Sequence, residues 1–256
     1  MDSFDSFVDQ KVLDVIEKKT VRSVCDYGCG EGGLLSRLAE KKVIDGSLAG
    51  VDVFSQFCCG NRKPPSFSGI EFIDRDSDVF GNLIRDRRFD LVVSSQTLHH
   101  FRTPVRELRN LWQLTREGGY VLFVDVDFSR ESDGQITKNL HSLLAEALSA
   151  MRGSFHRHHL TLDEALDLIS AVPFEVVEAK TEKLNPHQDE KRETTDRVVQ
   201  GVVQTLEKIT FKNPLVGDVF HQAFRSFRKL AESTGVEYTS LMCILLKKPE
   251  GKSLSQ

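Results

Sequence analysis

Val24-Cys25-Asp26-Tyr27-Gly28-Cys29-Gly30-Glu31-Gly32-Gly33 is the stretch from which the rest of this 256-residue chain is read. Val21 and Val24 lead into Asp26 as a buried strand, the glycines form a turn, and Leu34, Leu35 and Leu38 continue at helical spacing. Strand, glycine turn and helix within about twenty residues make the first half of a nucleotide-binding βαβ unit. Glycine suits such a turn because it adopts positive φ without strain and lets a ligand approach bare backbone. The helix that follows offers unpaired N–H groups and the positive end of its dipole. Gly28, Gly30 and Gly33 also satisfy G-x-G-x-x-G, so the turn by itself does not choose between nucleoside ligands.

Composition bounds the answer. The length allows a large core and favours one α/β domain carrying an insertion over two separate folds. Apolar residues make up 39% and charged residues 28%, as in a soluble globular protein. A net charge of −4 argues against a broad nucleic-acid surface. No run approaches the roughly 18–20 apolar residues of a membrane span, and the acidic Met1-Asp2-Ser3-Phe4-Asp5 lacks a signal-peptide core. The five cysteines form no even disulfide framework: Cys25 and Cys243 lie in apolar runs, and Cys58 and Cys59 are adjacent with no metal-ligand spacing around them. The expectation is a reduced, cytoplasmic protein without a metal site.

From the N-terminus, Phe4, Val8, Val12 and Ile16 predict an amphipathic helix within residues 1–20, lying over the ligand cleft or packed outside the sheet. After the glycine turn, Ser47–Val53 is a short strand ending in Asp52, placed where an acid can accept ribose hydroxyl protons. Residues 54–69, with Pro64-Pro65, read as loop. Ile70–Ile73 is a third strand, followed by Asp74 and Asp76, of which Asp76 is the preferred partner for a base edge. Phe89–Ser95 is a fourth strand, and a helix over Pro104–Leu114 and a fifth strand after Gly118-Gly119 follow.

Taken together these segments resemble the class I (Rossmann-like) S-adenosylmethionine-dependent methyltransferases. The resemblance covers roughly residues 20–127. It rests on the Gly28-Cys29-Gly30-Glu31-Gly32 turn, the acid ending strand two, the Asp-containing strand three, Phe89-Asp90-Leu91-Val92-Val93-Ser94-Ser95 with Leu98-His99-His100, and Gly118-Gly119-Tyr120-Val121-Leu122. It implies a mostly parallel seven-stranded sheet with an antiparallel strand seven, and S-adenosyl-L-methionine as cofactor with S-adenosyl-L-homocysteine as product. NAD(P), which the glycine turn alone would admit, becomes the distant alternative. By position, the resemblance assigns Asp26 to the methionyl amino group, Gly28, Gly30 and Gly32 to close passage of the ligand, and Asp52 to the ribose. Phe54 stacks on adenine, Asp76 takes the adenine edge, and Ser95 and Gln96 line the strand near the sulfonium. His99 and His100 are the candidates for a base.

Beyond residue 127, the apolar spacing of Ile136, Leu140, Leu144 and Met151 predicts a helix over about 134–152, and Thr161-Leu162-Asp163-Glu164 a capping box. Three histidines, His156, His158 and His159, precede it. The core is expected over 21–184 and 236–248. The segment 185–235, a polar linker to Arg192 and then two apolar helical stripes, is read as an insertion between strands six and seven. It forms a lid, with Phe211, Phe220 or Phe224 as lining, or a packing or homodimer element. Residues 249–256 are a charged tail. The absence of an Asn/Asp-Pro-Pro-Tyr motif after strand four favours a small-molecule acceptor. An RNA or protein acceptor, served by Arg85, Arg87, Arg88 or the histidine cluster, and a non-catalytic scaffold are the alternatives.

Overall fold

The computed structural model describes residues 3–54, 67–128, 130–151, 155–183, 188–207, 209–211, 213–237 and 240–252. Cys58, Cys59, Pro64-Pro65, the start of the linker and the end of the tail lie outside these. The chain forms two compact units, one of Met1–Asp125, Leu160–Glu182 and Leu241–Gln256, the other of Val126–His159 and Lys183–Ser240.

The first unit holds a seven-stranded sheet in the order β3-β2-β1-β4-β5-β7-β6. Its strands are β1 Val24–Tyr27, β2 Leu48–Asp52, β3 Ile70–Asp74, β4 Phe89–Ser95, β5 Thr115–Val126, β6 Glu175–Glu182 and β7 Leu241–Lys247. The pairs β1 with β2, β1 with β4, β2 with β3 and β4 with β5 are parallel, and β7 runs antiparallel to β6. Strand order reverses at β1, so the crevice at the carboxyl ends of β1 and β4 is a topological switch point, where open α/β sheets bind ligands.

The sequence explains the layering. β1 and β4 are nearly continuous apolar runs because both faces are covered. On one face, Val8, Val12, Val15 and Ile16 of α1 (Ser3–Lys19) and Leu34, Leu35 and Leu38 of α2 (Gly33–Lys41) share a core with Val24, Leu91, Val93, Leu122 and Val124. On the other, α3 (Asp78–Asp86), α4 (Pro104–Leu114) and α6 (Leu162–Ile169) pack Phe80, Leu108, Leu111, Trp112 and Ile169 against Tyr27, Val92 and Phe123. α1 thus packs outside the sheet: Arg37 of α2 holds both carboxylate oxygens of its Asp9 at 2.9 Å. The Thr161–Glu164 capping box forms reciprocally and starts α6 one residue later.

The second unit is helical: α5 (Asp133–Met151), α7 (Gln188–Glu207) and α8 (Pro214–Thr234). Leu148, Val202, Phe224, Phe227, Ala231 and Val236 are its buried apolar centre. Where the chain enters and leaves this unit, Asp127 N donates to Ser240 O at 2.8 Å and Glu237 N to Gly134 O at 3.1 Å. α7 begins at Gln188, inside the stretch expected to be a polar linker, because a polar run carries no apolar period to announce a helix. β5 likewise starts at Thr115, ahead of the glycines, with Gly118 at φ 71 absorbed within the strand. The rings expected as lid lining also contact one another. Phe211 stacks on Phe220 at 5.8 Å, Phe220 lies 6.4 Å from Phe224, and Phe224 is buried.

Candidate functional site

Asp26 lies within β1, whose four residues are all buried, and is itself 4% exposed. Burial, and then the charge of Asp52, push its carboxyl up to about 7, with Arg37 opposing. A carboxyl held there is poised to ionise against an arriving cation.

The glycines that follow have different physical reasons. A Cβ at Gly28 (φ +88) would sit 2.0 Å from Thr97 Cγ2, and one at Gly32 (φ +77) 2.5 Å from the Phe72 ring. These two are glycine because protein packs against them. At Gly30 (φ +53) a Cβ meets nothing within 4 Å among the described residues. That is the position where the turn opens onto space a ligand can enter. The turn ends on Gly32, the N-cap of α2, which has no side-chain cap.

Asp52 closes the turn from β2. Its Oδ2 accepts Gly30 N–H at 2.7 Å and its Oδ1 accepts Val53 N–H at 2.6 Å. Burial raises its pKa while these two donors and Arg75 pull it back. Each oxygen keeps a lone pair for a hydroxyl donor. Phe54 lies just beyond, partly buried against the α1–α2 side of the core. Next to β2, Asp74 spends Oδ1 on Asp76 N–H at 3.0 Å, whereas the Asp76 carboxylate is exposed with Arg75 Nε 3.8 Å away. Carboxylates therefore border the turn, namely Asp26, Asp52 and the exposed Glu31.

β4 ends in a sharp change of direction. Ser95 pairs with Val124 of β5, and Gln96 adopts φ 51, a left-handed conformation that costs a residue with a Cβ about 1 kcal/mol or more. Ser94 and Thr97 hydroxyls bond to each other, fixing the turn that carries Thr97 against Gly28. A single 3-10 turn, Leu98–His100, then carries the two histidines. His100 is exposed, whereas His99 is 5% exposed and has its Nδ1 3.1 and 3.2 Å from the two carboxylate oxygens of Asp125, at the end of β5. Leu98 N–H donates to the same carboxylate at 3.2 Å.

Four further residues of this region carried no sequence signal. Tyr27 OH bonds to the buried Glu107 of α4, Asn110 donates to that hydroxyl at 3.1 Å, and Arg75 Nη1 lies 3.4 Å from Glu107 Oε1. Burial and the Glu107 charge raise the Tyr27 pKa, so this phenol is a fixed donor. The arginines considered for RNA are turned onto the protein: Arg85 bonds to Asn82, Arg87 to Glu71, and Arg88 donates to Ile84 O at 2.6 Å and Arg87 O at 2.7 Å.

Residues 4–179 match the family model described as a methyltransferase domain. An aklanonic acid methyltransferase, DauC, of Streptomyces sp. (strain C5) is 26% identical over 142 residues, which are 54% of this chain and 64% of that protein. The matched segment thus spans just under two thirds of that relative's length. Among solved structures, a cyclopropane-fatty-acyl-phospholipid synthase-like protein from Lactobacillus casei superposes with a TM-score of 0.64 at 15% identity, covering 96% of this chain and 92% of that one. The [4+2]-cyclase SpnF superposes with a TM-score of 0.53 at 17% identity, covering 95% and 81%. Both likenesses are of fold.

Proposed function

The chain belongs to the methyltransferase-domain family, and on that premise we propose that it moves a methyl group from S-adenosyl-L-methionine to a small-molecule acceptor, leaving S-adenosyl-L-homocysteine. One observation carries the choice of cofactor: the acids around the glycine turn. A dinucleotide sets its pyrophosphate on such a turn and the helix start behind it. Here Asp26, Glu31 and Asp52 border the turn, and they repel a pyrophosphate but attract an ammonium and ribose hydroxyls.

In this reading Gly30 gives the ribose access to bare backbone, and Asp52, already oriented by Gly30 and Val53 N–H groups, takes its hydroxyls. Asp26 faces the methionyl ammonium, which stabilises its ionised form. Gly28 and Gly32 keep the turn's path, Phe54 stacks on adenine and Asp76 accepts its amino protons. Ser95 and Gln96 border the reacting centre, where His99 or His100 serves as proton acceptor. The cofactor supplies a methyl carbon already activated on a sulfonium. The protein's own work is to hold the acceptor in line with that carbon and keep water out. The match to an aklanonic acid methyltransferase supports a small acceptor, and the engaged Arg85, Arg87 and Arg88 weigh against RNA. The segment 185–235 serves as a cover or a homodimer element, and the free thiols suit a cytoplasmic setting.

The test is transfer of radiolabelled methyl from S-adenosylmethionine into three samples in parallel: a small-molecule cell extract, total RNA and a protein extract. Label in the small-molecule fraction is expected. Label confined to RNA or protein overturns the acceptor class, and label in none of them favours a scaffold.

A further inference from the structure

We propose that Asp125 holds His99 in the one tautomer that accepts a proton at Nε2, and that the acceptor is therefore a hydroxyl group deprotonated as it takes the methyl. The proposal rests on the methyl-transfer reading above and names the substrate class of that site.

A carboxylate only accepts hydrogen bonds, so the Nδ1 that lies 3.1 and 3.2 Å from the Asp125 oxygens carries the ring proton. In a neutral imidazole that leaves the lone pair on Nε2. The same carboxylate accepts Leu98 N–H at 3.2 Å, so it fixes both the backbone of the turn and the ring upon it. The arrangement stands on rigid elements. The Ser95–Val124 register sets Asp125 one residue past the end of the paired run, and the left-handed Gln96 folds the chain back so that His99 returns to β5. Asp125 is 1% exposed. A carboxylate so buried is expensive to keep for a tether that an uncharged side chain could make. It is suited to stabilising an imidazolium that forms during a reaction. His100 is exposed and tilted against the His99 ring at 4.2 Å.

The chemistry of the step selects the acceptor. A carboxylate acceptor is already ionised at neutral pH, and a neutral amine attacks with its own lone pair and sheds a proton afterwards. A hydroxyl, with a pKa near 10 even when phenolic, needs its proton removed as the new bond forms. In the balanced step the acceptor O–H proton passes to His99 Nε2, the oxygen–methyl bond forms, and the sulfur–methyl bond breaks with its electron pair going to sulfur. His99 is left as imidazolium against Asp125 and returns its proton to water. Asp125 is a positioning residue throughout.

The test is long-range proton–nitrogen correlation on the full chain labelled with [15N]histidine, the His99 signals being identified by their loss in His99→Gln. Wild type is expected to show a protonated Nδ1 and an unprotonated Nε2, and Asp125→Ala, which leaves Nδ1–H without this acceptor, to lose that pattern. On saturation with S-adenosylhomocysteine the Nε2 resonance is expected to move, and to move again when the sulfide is replaced by the sulfonium of S-adenosylmethionine. A merely structural tether would not give that second shift, which is read on the wild-type chain. Binding of both cofactors with an unmoved Nε2, or a wild-type Nε2–H tautomer, overturns the proposal alone. Binding of neither overturns the methyl-transfer reading and the proposal with it.

Discussion

Cofactor affinity should depend on pH through Asp26. Its buried carboxyl sits at about 7 in the free protein, and the ammonium proposed to face it would keep it ionised. Only the ionised fraction binds productively: about one molecule in eleven at pH 6 and ten in eleven at pH 8. That is a tenfold gain in affinity across the two units, about 1.4 kcal/mol. Calorimetric titration with S-adenosylhomocysteine at pH 6, 7 and 8, in two buffers of different ionisation enthalpy, reads both the affinity and the protons released. Close to one proton should leave per binding event at pH 6 and almost none at pH 8. The sign for the free protein is the reverse of the usual carboxylate case. With the folded pKa raised, the stability Asp26 contributes is present below about pH 4 and lost as pH rises through about 7. Asp26→Asn should therefore raise the melting temperature of the free protein at pH 8 while weakening the cofactor and flattening its pH dependence. A Kd unchanged between pH 6 and 8, or a dependence that persists in Asp26→Asn, refutes the reasoning.

Other substitutions separate the parts of the site. Gly28→Ala, which drives a Cβ to 2.0 Å from Thr97, should cost about 2 kcal/mol or more in chemical denaturation, through strain at positive φ and overpacking. Gly30→Ala, with nothing within 4 Å among the described residues, should cost only about 1 kcal/mol of stability yet weaken S-adenosylhomocysteine at least tenfold by calorimetry. Asp52→Ala strips the Gly30 and Val53 N–H groups of their acceptor and should lower both stability, by about 1–3 kcal/mol, and affinity. In the second unit, Phe227→Ala removes a fully buried ring and should destabilise by about 3–5 kcal/mol. Protease cleavage within 126–159 and 183–240 should then appear at lower denaturant than cleavage elsewhere.

What the sequence disclosed, and what it hid, follows from the range of the interactions concerned. The order of strands and helices was readable because β1, β4 and β7 are apolar runs and α4 and α8 carry Pro104 and Pro214 in their first turns. The capping box at Thr161 was readable for the same reason, since its partners are three residues apart. The glycine turn was legible as a whole, but the division of labour within it was not: Gly28 answers to Thr97, some seventy residues on, and Gly32 to Phe72. Likewise Asp125 could be seen as an acid near a strand end, whereas its pairing with His99 depends on the β4–β5 register and on a left-handed Gln96. Helix α7 extends back through residues 188–192 without an apolar period to predict it. The contacts of Phe211, Phe220 and Phe224 with one another could not be read from the sequence, since an apolar stripe does not name its partners.

The central claim is that a glycine turn bordered by Asp26 and Asp52 receives the sulfonium nucleoside. Parallel calorimetric titrations with S-adenosylhomocysteine and NADH, on wild type and Asp52→Ala, test it most directly. The account predicts a Kd on the order of micromolar for S-adenosylhomocysteine, at least tenfold weakening in the variant, and no heat with NADH. Binding of NADH in place of S-adenosylhomocysteine would contradict it.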